Sequence, residues 1–276
     1  MFRIRLVWTL LVSAAVTVLA ATGAAAQAPD VDLQCLLSSC GPLAAACAAD
    51  ANCQAIQSCI TACAGDAACN NACFFKLADD PYAKLALCAV DAGCIAGPPS
   101  LGNETCPDLS GAKLASGFNT SWLAEAGTMY VAGGGNPVYD CFDCQLLEFS
   151  PAPDGGVDVV WSAALNGTVR NATYTLEPAA PGVLNTSYEL FSLPVEETYY
   201  ILDYTEDGSY LLYFYCGSLL GSEYTGAVIY SREPDTPVPS DVKARFSAAV
   251  AAAGLQDYVK LDSFCTPAYP STCPNL

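Results

Sequence analysis

Sixteen cysteines in a chain of 276 residues limit the possible folds more than any other feature. The chain opens "MFRIRLVWTLLVSAAVTVLAATGAAAQA". Arg3 and Arg5, the apolar run Leu6 to Ala21 and the small residues Ala24-Ala25-Ala26 have the three-part form of a signal peptide cleaved after Ala26. An uncleaved membrane anchor is the alternative for the same run. An even number of cysteines behind such a leader points to disulfides. Histidine is absent, which removes Ser-His-Asp and Cys-His nucleophiles, imidazole ligands and the usual pH switch. A metal site is therefore not expected. The net charge of −18 leaves no basic patch for nucleic acid. N-x-S/T sequons at Asn103, Asn119, Asn166, Asn171 and Asn185 favour passage through the endoplasmic reticulum and glycosylation.

The cysteines divide the chain into unequal parts. Residues 27–97 are alanine-rich and poor in β-branched side chains, and should be helical. Cys59 and Cys63 are i,i+4, as are Cys69 and Cys73, with "AGDAA" between the pairs. Folded as an antiparallel hairpin, the rungs nest as Cys63–Cys69 and Cys59–Cys73. The same logic, applied around "GPLAAA" and "AADAN", gives Cys40–Cys47 and Cys35–Cys53, and Cys88–Cys94 closes a small loop. Each staple contributes on the order of 2 kcal/mol, which a domain with few large core side chains needs. Catalytic thiol exchange is the competing reading. Residues 98–111, "PPSLGNETCPDLSG", read as a linker.

Residues 112–233 change character. Eight short segments rich in Tyr, Val, Phe and Leu alternate with turns, from "GTMYVAGG" to "TGAVIYSRE". Consecutive antiparallel strands joined by hairpins suggest an up-and-down barrel whose interior holds one small apolar ligand. Composition alone leaves a β-sandwich open. Residues 234–276 form a C-terminal helix and disulfide strap. Ser240 is the expected N-cap and Gly254 the stop, with Val242, Phe246, Val250 and Ala253 on one face.

Cys141 and Cys144 form a C-x-x-C in "YDCFDCQLLEF". A redox dithiol of this spacing sits at a helix N-terminus in a βαβ setting, which this chain lacks. On a strand running 141–149, residues three apart face opposite ways. Two separate bridges are expected, with Cys144–Cys265 tying down the strap. Cys141–Cys216 and Cys106–Cys273 complete the set, though no sequence feature singles them out.

At this point the chain resembles the violaxanthin de-epoxidase family and its related proteins. "CLLSSC", the C-x5-C-x3-C run at Cys53, Cys59 and Cys63, and Cys69-x3-Cys73 carry the likeness. "YDCFDCQLLEF" is similar to the family's F-D-x-F-D-C-Q-L-x-E-F. "YYILDY", "YFYCG" and "TGAVIYSRE" are similar to W-Y-I-L, Y-Y-R-G and G-A-V-V-Y-T-R. The resemblance implies an α+β multidomain protein: a disulfide-stapled α-helical Cys-rich domain, then an eight-stranded antiparallel lipocalin-like β-barrel with a C-terminal helix. It implies reduction of a xanthophyll epoxide with ascorbate as co-substrate, and an apolar carotenoid in the barrel. It also implies low-pH association with a membrane surface, a homodimer and a home in the plastid thylakoid lumen. Secretion through the endoplasmic reticulum is the alternative. The family's acid-catalysis aspartate falls on Glu197, its active-site tyrosine on Tyr215, and its motif aspartates on Asp140 and Asp143.

The residues themselves suit this chemistry. Opening an epoxide needs a proton at the ring oxygen, and a carboxylic acid in an apolar pocket has a raised pKa and can supply one. Glu197 is the candidate donor and Tyr215 a hydrogen-bond donor to the developing alkoxide; Asp140 and Asp143 orient the acid or the reductant. The bland readings are a solvated Glu196–Glu197 loop pair, an ordinary barrel tyrosine and turn carboxylates. Isomerisation of the epoxide without net reduction is the alternative reaction. A carrier that binds a carotenoid or other apolar ligand without chemistry is the alternative function, and a disulfide-stapled secreted glycoprotein with a different ligand is the third. The chain departs from the family in lacking histidine, in Glu for Asp, in Cys216 for Arg, in Gly127-Thr128-Met129 for the lipocalin G-x-W, and in lacking the glutamate-rich C-terminal extension.

Overall fold

The computed structural model describes residues 32–63, 67–95, 105–137, 139–165, 168–219 and 222–273. The leader and the sequons Asn103 and Asn166 lie outside the described residues. Four helices come first: α1 (Leu33–Ala49), α2 (Ala51–Ala62), α3 (Ala67–Leu77) and α4 (Asp80–Asp91). Asp32, Asp50 and Asp79 cap three of them, each carboxylate accepting the backbone N–H three residues on. The α2–α3 hairpin carries the nested rungs Cys63–Cys69 and Cys59–Cys73.

The other three bridges of this region differ from the sequence expectation. In place of Cys35–Cys53, Cys40–Cys47 and Cys88–Cys94, the structure has Cys35–Cys94, Cys40–Cys88 and Cys47–Cys53. "GPLAAA" is not a turn: α1 runs through it with Pro42 inside and a kink at Cys40 (φ −117°, ψ 15°). Seven residues of helix rise about 10 Å, beyond the Cα–Cα reach of about 4.4–6.8 Å for a disulfide. Cys40 and Cys47 therefore cannot meet. Nesting still operates, but between α1 and α4, which are distant in sequence.

Eight strands follow the short helix α5 (Ser121–Ala126): β1 (Thr128–Gly134), β2 (Asp143–Pro151), β3 (Val157–Leu165), β4 (Thr168–Ala180), β5 (Val183–Leu190), β6 (Leu193–Tyr204), β7 (Tyr210–Leu219) and β8 (Ser222–Ser231). Each pairs antiparallel with the next and β8 returns to β1, closing an up-and-down barrel. Period-two alternation divides every strand into inward and outward sets. The floor is apolar, filled by Met129, Phe149, Val157, Leu176, Leu184 and Ile201. Below it α5 inserts Leu123, while the Trp122 ring packs on Phe118 and Tyr204 and its Nε1 donates to the Thr205 carbonyl at 3.2 Å. Met129, at the position of the missing signature tryptophan, is fully buried.

Helix α6 (Ser240–Ala252) lays Phe246 and Val250, with Ala253 just beyond, against outward residues Leu202, Leu212, Phe214 and Ile229. Pro239, not Ser240, holds the N-cap position, and no side chain caps the helix there. Gly254 ends it at φ 75°. The remaining bridges are Cys141–Cys265, Cys144–Cys273 and Cys106–Cys216, overturning Cys144–Cys265, Cys141–Cys216 and Cys106–Cys273. The reason is placement along the barrel. Strand β2 begins only at Asp143, so Cys141 belongs to the β1–β2 loop. There a bridge between Gly134 and Cys265 brings the strap alongside. Cys144 sits at an irregularity of β2 with φ 55°, on the stretch where the Tyr269 hydroxyl holds the strap to the carbonyls of Val131 and Gln145. Cys216 belongs to the outer cluster, where the segment entering the barrel runs past it.

The helical region closes the barrel mouth. Phe75 of α3, 2% exposed, packs against Tyr139 and Phe142 with ring centroids 5.3 and 4.9 Å away. Phe74 and Phe75 both meet Phe191 at 6.0 Å. The Arg170 guanidinium lies 3.9 Å over the Phe191 ring and donates to the carbonyls of Lys76 and Ala78 at the end of α3. Ser192 bonds Asp80. Phe191 and Ser192, the β5–β6 turn, both have positive φ (52° and 67°), as a two-residue hairpin of this twist requires. Helical and barrel side chains thus form one continuous core.

Candidate active site

Strand β6 starts at Leu193, earlier than the tyrosine-rich stretch alone suggests. That start decides the fate of the two glutamates. The pleat turns Val195, Glu197, Tyr199 and Ile201 inward and leaves Glu196 exposed. Glu197 Oε1 accepts from the Tyr224 hydroxyl at 2.5 Å, and Oε2 accepts from Tyr199 at 2.7 Å and Tyr188 at 3.4 Å. Burial pushes the Glu197 carboxyl above the ordinary glutamate range, and the three hydroxyls only partly offset the rise. The tyrosines are themselves raised, first by burial and then by Glu197, so they remain neutral donors.

A second acid faces the same space. Asp140 is 3% exposed in the β1–β2 loop. Its Oδ2 accepts the Asn136 backbone N–H at 2.8 Å and its Oδ1 accepts the Tyr215 hydroxyl at 2.9 Å. Burial raises its pKa to about 8. Tyr215, read from the sequence as a donor to the developing alkoxide, thus donates to Asp140. Asp143 is not part of the cluster. It is exposed at the start of β2 and accepts the Ala268 N–H at 3.2 Å, holding the strap.

Two glycines make the arrangement possible. On the β7–β8 ladder, Gly217 stands opposite Tyr224 and Gly226 opposite Tyr215. A Cβ at Gly217 would lie 2.3 Å from the Tyr224 ring, and one at Gly226 would lie 2.2 Å from the Tyr215 hydroxyl oxygen. Each ring lies flat over a glycine and so reaches sideways to its carboxyl. Gly217 belongs to "YFYCG" and Gly226 to "TGAVIYSRE", segments whose spacing does not announce this purpose.

The enclosed space measures about 70 Å³ and is bounded by both carboxyls, by Trp161 and Gln145, by seven tyrosines and, at the mouth, by Phe75 and Phe142. No lysine or arginine lines it among the described residues. The arrangement offers an acid whose pKa is raised by burial, hydroxyls placed to stabilise the carboxylate left behind, and a largely aromatic wall. Sequence reasoning missed Tyr188, Tyr199, Tyr224 and Tyr139. Tyr199 was detectable, two positions after Glu197 on one strand face. So was Tyr139, which opens "YDCFDC" where the quoted motif has Phe.

Other candidates lie elsewhere. Asn119, Asn171 and Asn185 are exposed on the outside. The sulfurs of Cys59, Cys63 and Cys73 approach closely enough to suggest a metal site, but all three are bonded in disulfides. No helix among the described residues is long and apolar enough to cross a membrane.

A family model described as the VDE lipocalin domain matches residues 32–267. Chloroplastic violaxanthin de-epoxidase of Arabidopsis thaliana is 27% identical over 250 residues, 84% of this chain and 53% of that protein. The enzyme of the same name from Spinacia oleracea is 26% identical over 86% of this chain and 52% of its own length. That from Nicotiana tabacum is 25% identical over 86% and 51%. The chain therefore spans about half the length of these relatives.

Proposed function

The chain belongs to the violaxanthin de-epoxidase lipocalin-domain family, and from that premise we propose that it reduces a xanthophyll epoxide, with Glu197 as proton donor. The observation that carries this reading is a carboxyl inside the barrel with raised pKa and three tyrosine hydroxyls on its oxygens. Protonation of the oxirane oxygen by Glu197 weakens the C–O bonds. The glutamate left behind is stabilised by the hydroxyls of Tyr224, Tyr199 and Tyr188, which need no rearrangement to receive it. Asp140 and Tyr215 form a second hydrogen-bonded acid facing the ring. Conversion of the epoxide to an alkene takes two electrons and two protons and releases the oxygen as water. Ascorbate, oxidised to dehydroascorbate, supplies the two electrons and one proton; the other proton is the one Glu197 delivers and regains from solvent.

A space of about 70 Å³ admits a few waters but no carotenoid end ring. Binding on this reading moves Phe75 and Phe142 out of the mouth. The names of the relatives support a plastid location, and the family's acid-dependent activity supports the thylakoid lumen. There the chain's large negative charge shrinks as pH falls, which favours homodimerisation and contact with a membrane surface.

The test is Glu197→Gln in the full chain, with violaxanthin and ascorbate at about pH 5 and the pigments separated by chromatography. Turnover falls by 10²-fold or more while pigment binding persists. A variant that turns over like the wild type removes Glu197 from the chemistry. Wild-type protein that binds pigment without converting it is a carrier.

A further inference from the structure

The cavity tyrosines are nearly all spoken for. Tyr224, Tyr199 and Tyr188 donate to Glu197 and Tyr215 to Asp140. Tyr213 and Tyr230 bond each other at 2.8 Å, and the Tyr174 and Tyr199 hydroxyl oxygens lie 3.5 Å apart. Tyr139 differs. Its hydroxyl oxygen is shielded from solvent and has no hydrogen-bond partner among the described residues. The ring cannot readily turn that oxygen outward. It is stacked on Tyr224 with centroids 4.9 Å apart and planes 25° apart, and Phe75 abuts it edge-on at 5.3 Å. Its backbone is held on both sides, the N–H donating to the Asn136 carbonyl at 3.1 Å and the carbonyl accepting from Gln145 Nε2 at 3.2 Å. Tyr139 borders the same enclosed space as Glu197 and Asp140.

A buried hydroxyl without a partner is destabilising. Such groups persist where a ligand completes them. We propose that Tyr139 is a ligand-contact residue whose hydroxyl donates a hydrogen bond to an oxygen on the end ring of the bound carotenoid. It thereby favours oxygenated rings over hydrocarbon ones. This deepens the reading above and rests on it. Burial and the two neighbouring carboxyls keep the Tyr139 hydroxyl protonated, so it is a donor at any working pH. A partner oxygen on the ligand satisfies it, whereas a hydrocarbon ring leaves it as costly as before.

The test uses Tyr139→Phe in the full chain, which removes one oxygen and keeps the ring contacts. Violaxanthin and β-carotene are titrated in detergent micelles, with binding followed by quenching of tryptophan fluorescence, since Trp161 lines the cavity. The variant binds violaxanthin about 3- to 10-fold more weakly and β-carotene unchanged. Its ligand-free Tm rises by about 2–8 °C, because the orphaned hydroxyl is gone. Equal affinity of wild type and variant for violaxanthin overturns the inference alone. So does weakening that affects both pigments alike or comes with a lower Tm, which marks a structural role. Wild-type protein that binds neither pigment overturns the reading beneath it as well.

Discussion

Replacing Asp140 by Asn should abolish a pH dependence of stability that the wild-type protein shows. Burial raises the Asp140 pKa from 3.8 to about 8. Between those values the folded protein holds a proton that the unfolded chain has released. Stability contributed by this group is complete below about pH 4 and is lost as pH rises toward 8. The slope is about 1.4 kcal/mol per pH unit, or on the order of 6 kcal/mol across the window. Asparagine copies the protonated acid: its oxygen can accept the Asn136 N–H and its amide can donate to the Tyr215 hydroxyl. The assay is guanidinium unfolding with disulfides intact at about pH 4.5, 6 and 7.5. Asp140→Asn should match the wild type at pH 4.5 and exceed it by several kcal/mol at pH 7.5. General charge repulsion acts on both proteins and cancels in the comparison. Parallel stability profiles would refute the reasoning, because Asp140 would then titrate alike in the folded and unfolded states.

Other substitutions probe the same architecture. Gly226→Ala drives a methyl into the Tyr215 hydroxyl and Gly217→Ala one into the Tyr224 ring. Each should cost about 1–3 kcal/mol by overpacking, measured by thermal unfolding, and Gly217→Ala should also lower turnover with little change in KM as Glu197 loses a donor. Phe75→Ala should lower stability by about 3–5 kcal/mol yet speed pigment entry, followed by stopped-flow fluorescence, because it removes the mouth's plug. An unchanged entry rate would show that the ligand does not enter past α3.

The eight strands were legible because alternation and turn residues are local signals, and so was the α2–α3 rung pair, whose inner cysteines stand only six positions apart in the chain. What failed was pairing across distance. Cys35 meets Cys94, just past the end of α4, and Cys40 meets Cys88 within it, and nothing near them in the chain announces that α1 and α4 are neighbours. Cys141, Cys144 and Cys216 were mispaired for the same reason: their partners depend on where the strap and the entering segment cross the closed barrel. At the site, Glu197 was found by resemblance, but its burial depended on a strand beginning at Leu193, where "LPVEE" carries weak strand propensity. Tyr224 came from another strand, and its approach to Glu197 depends on Gly217 across the ladder. Phe75 reached the barrel only through the packing of the helical region.

The central claim is that an acid able to hold its proton waits inside the closed barrel. Infrared difference spectroscopy between wild type and Glu197→Gln, taken across pH, isolates the C=O stretch of that one carboxyl. The account predicts a titration midpoint above the ordinary glutamate value of 4.5. A band that vanishes at or below that value would mean a carboxylate already ionised and solvated, with no proton to deliver.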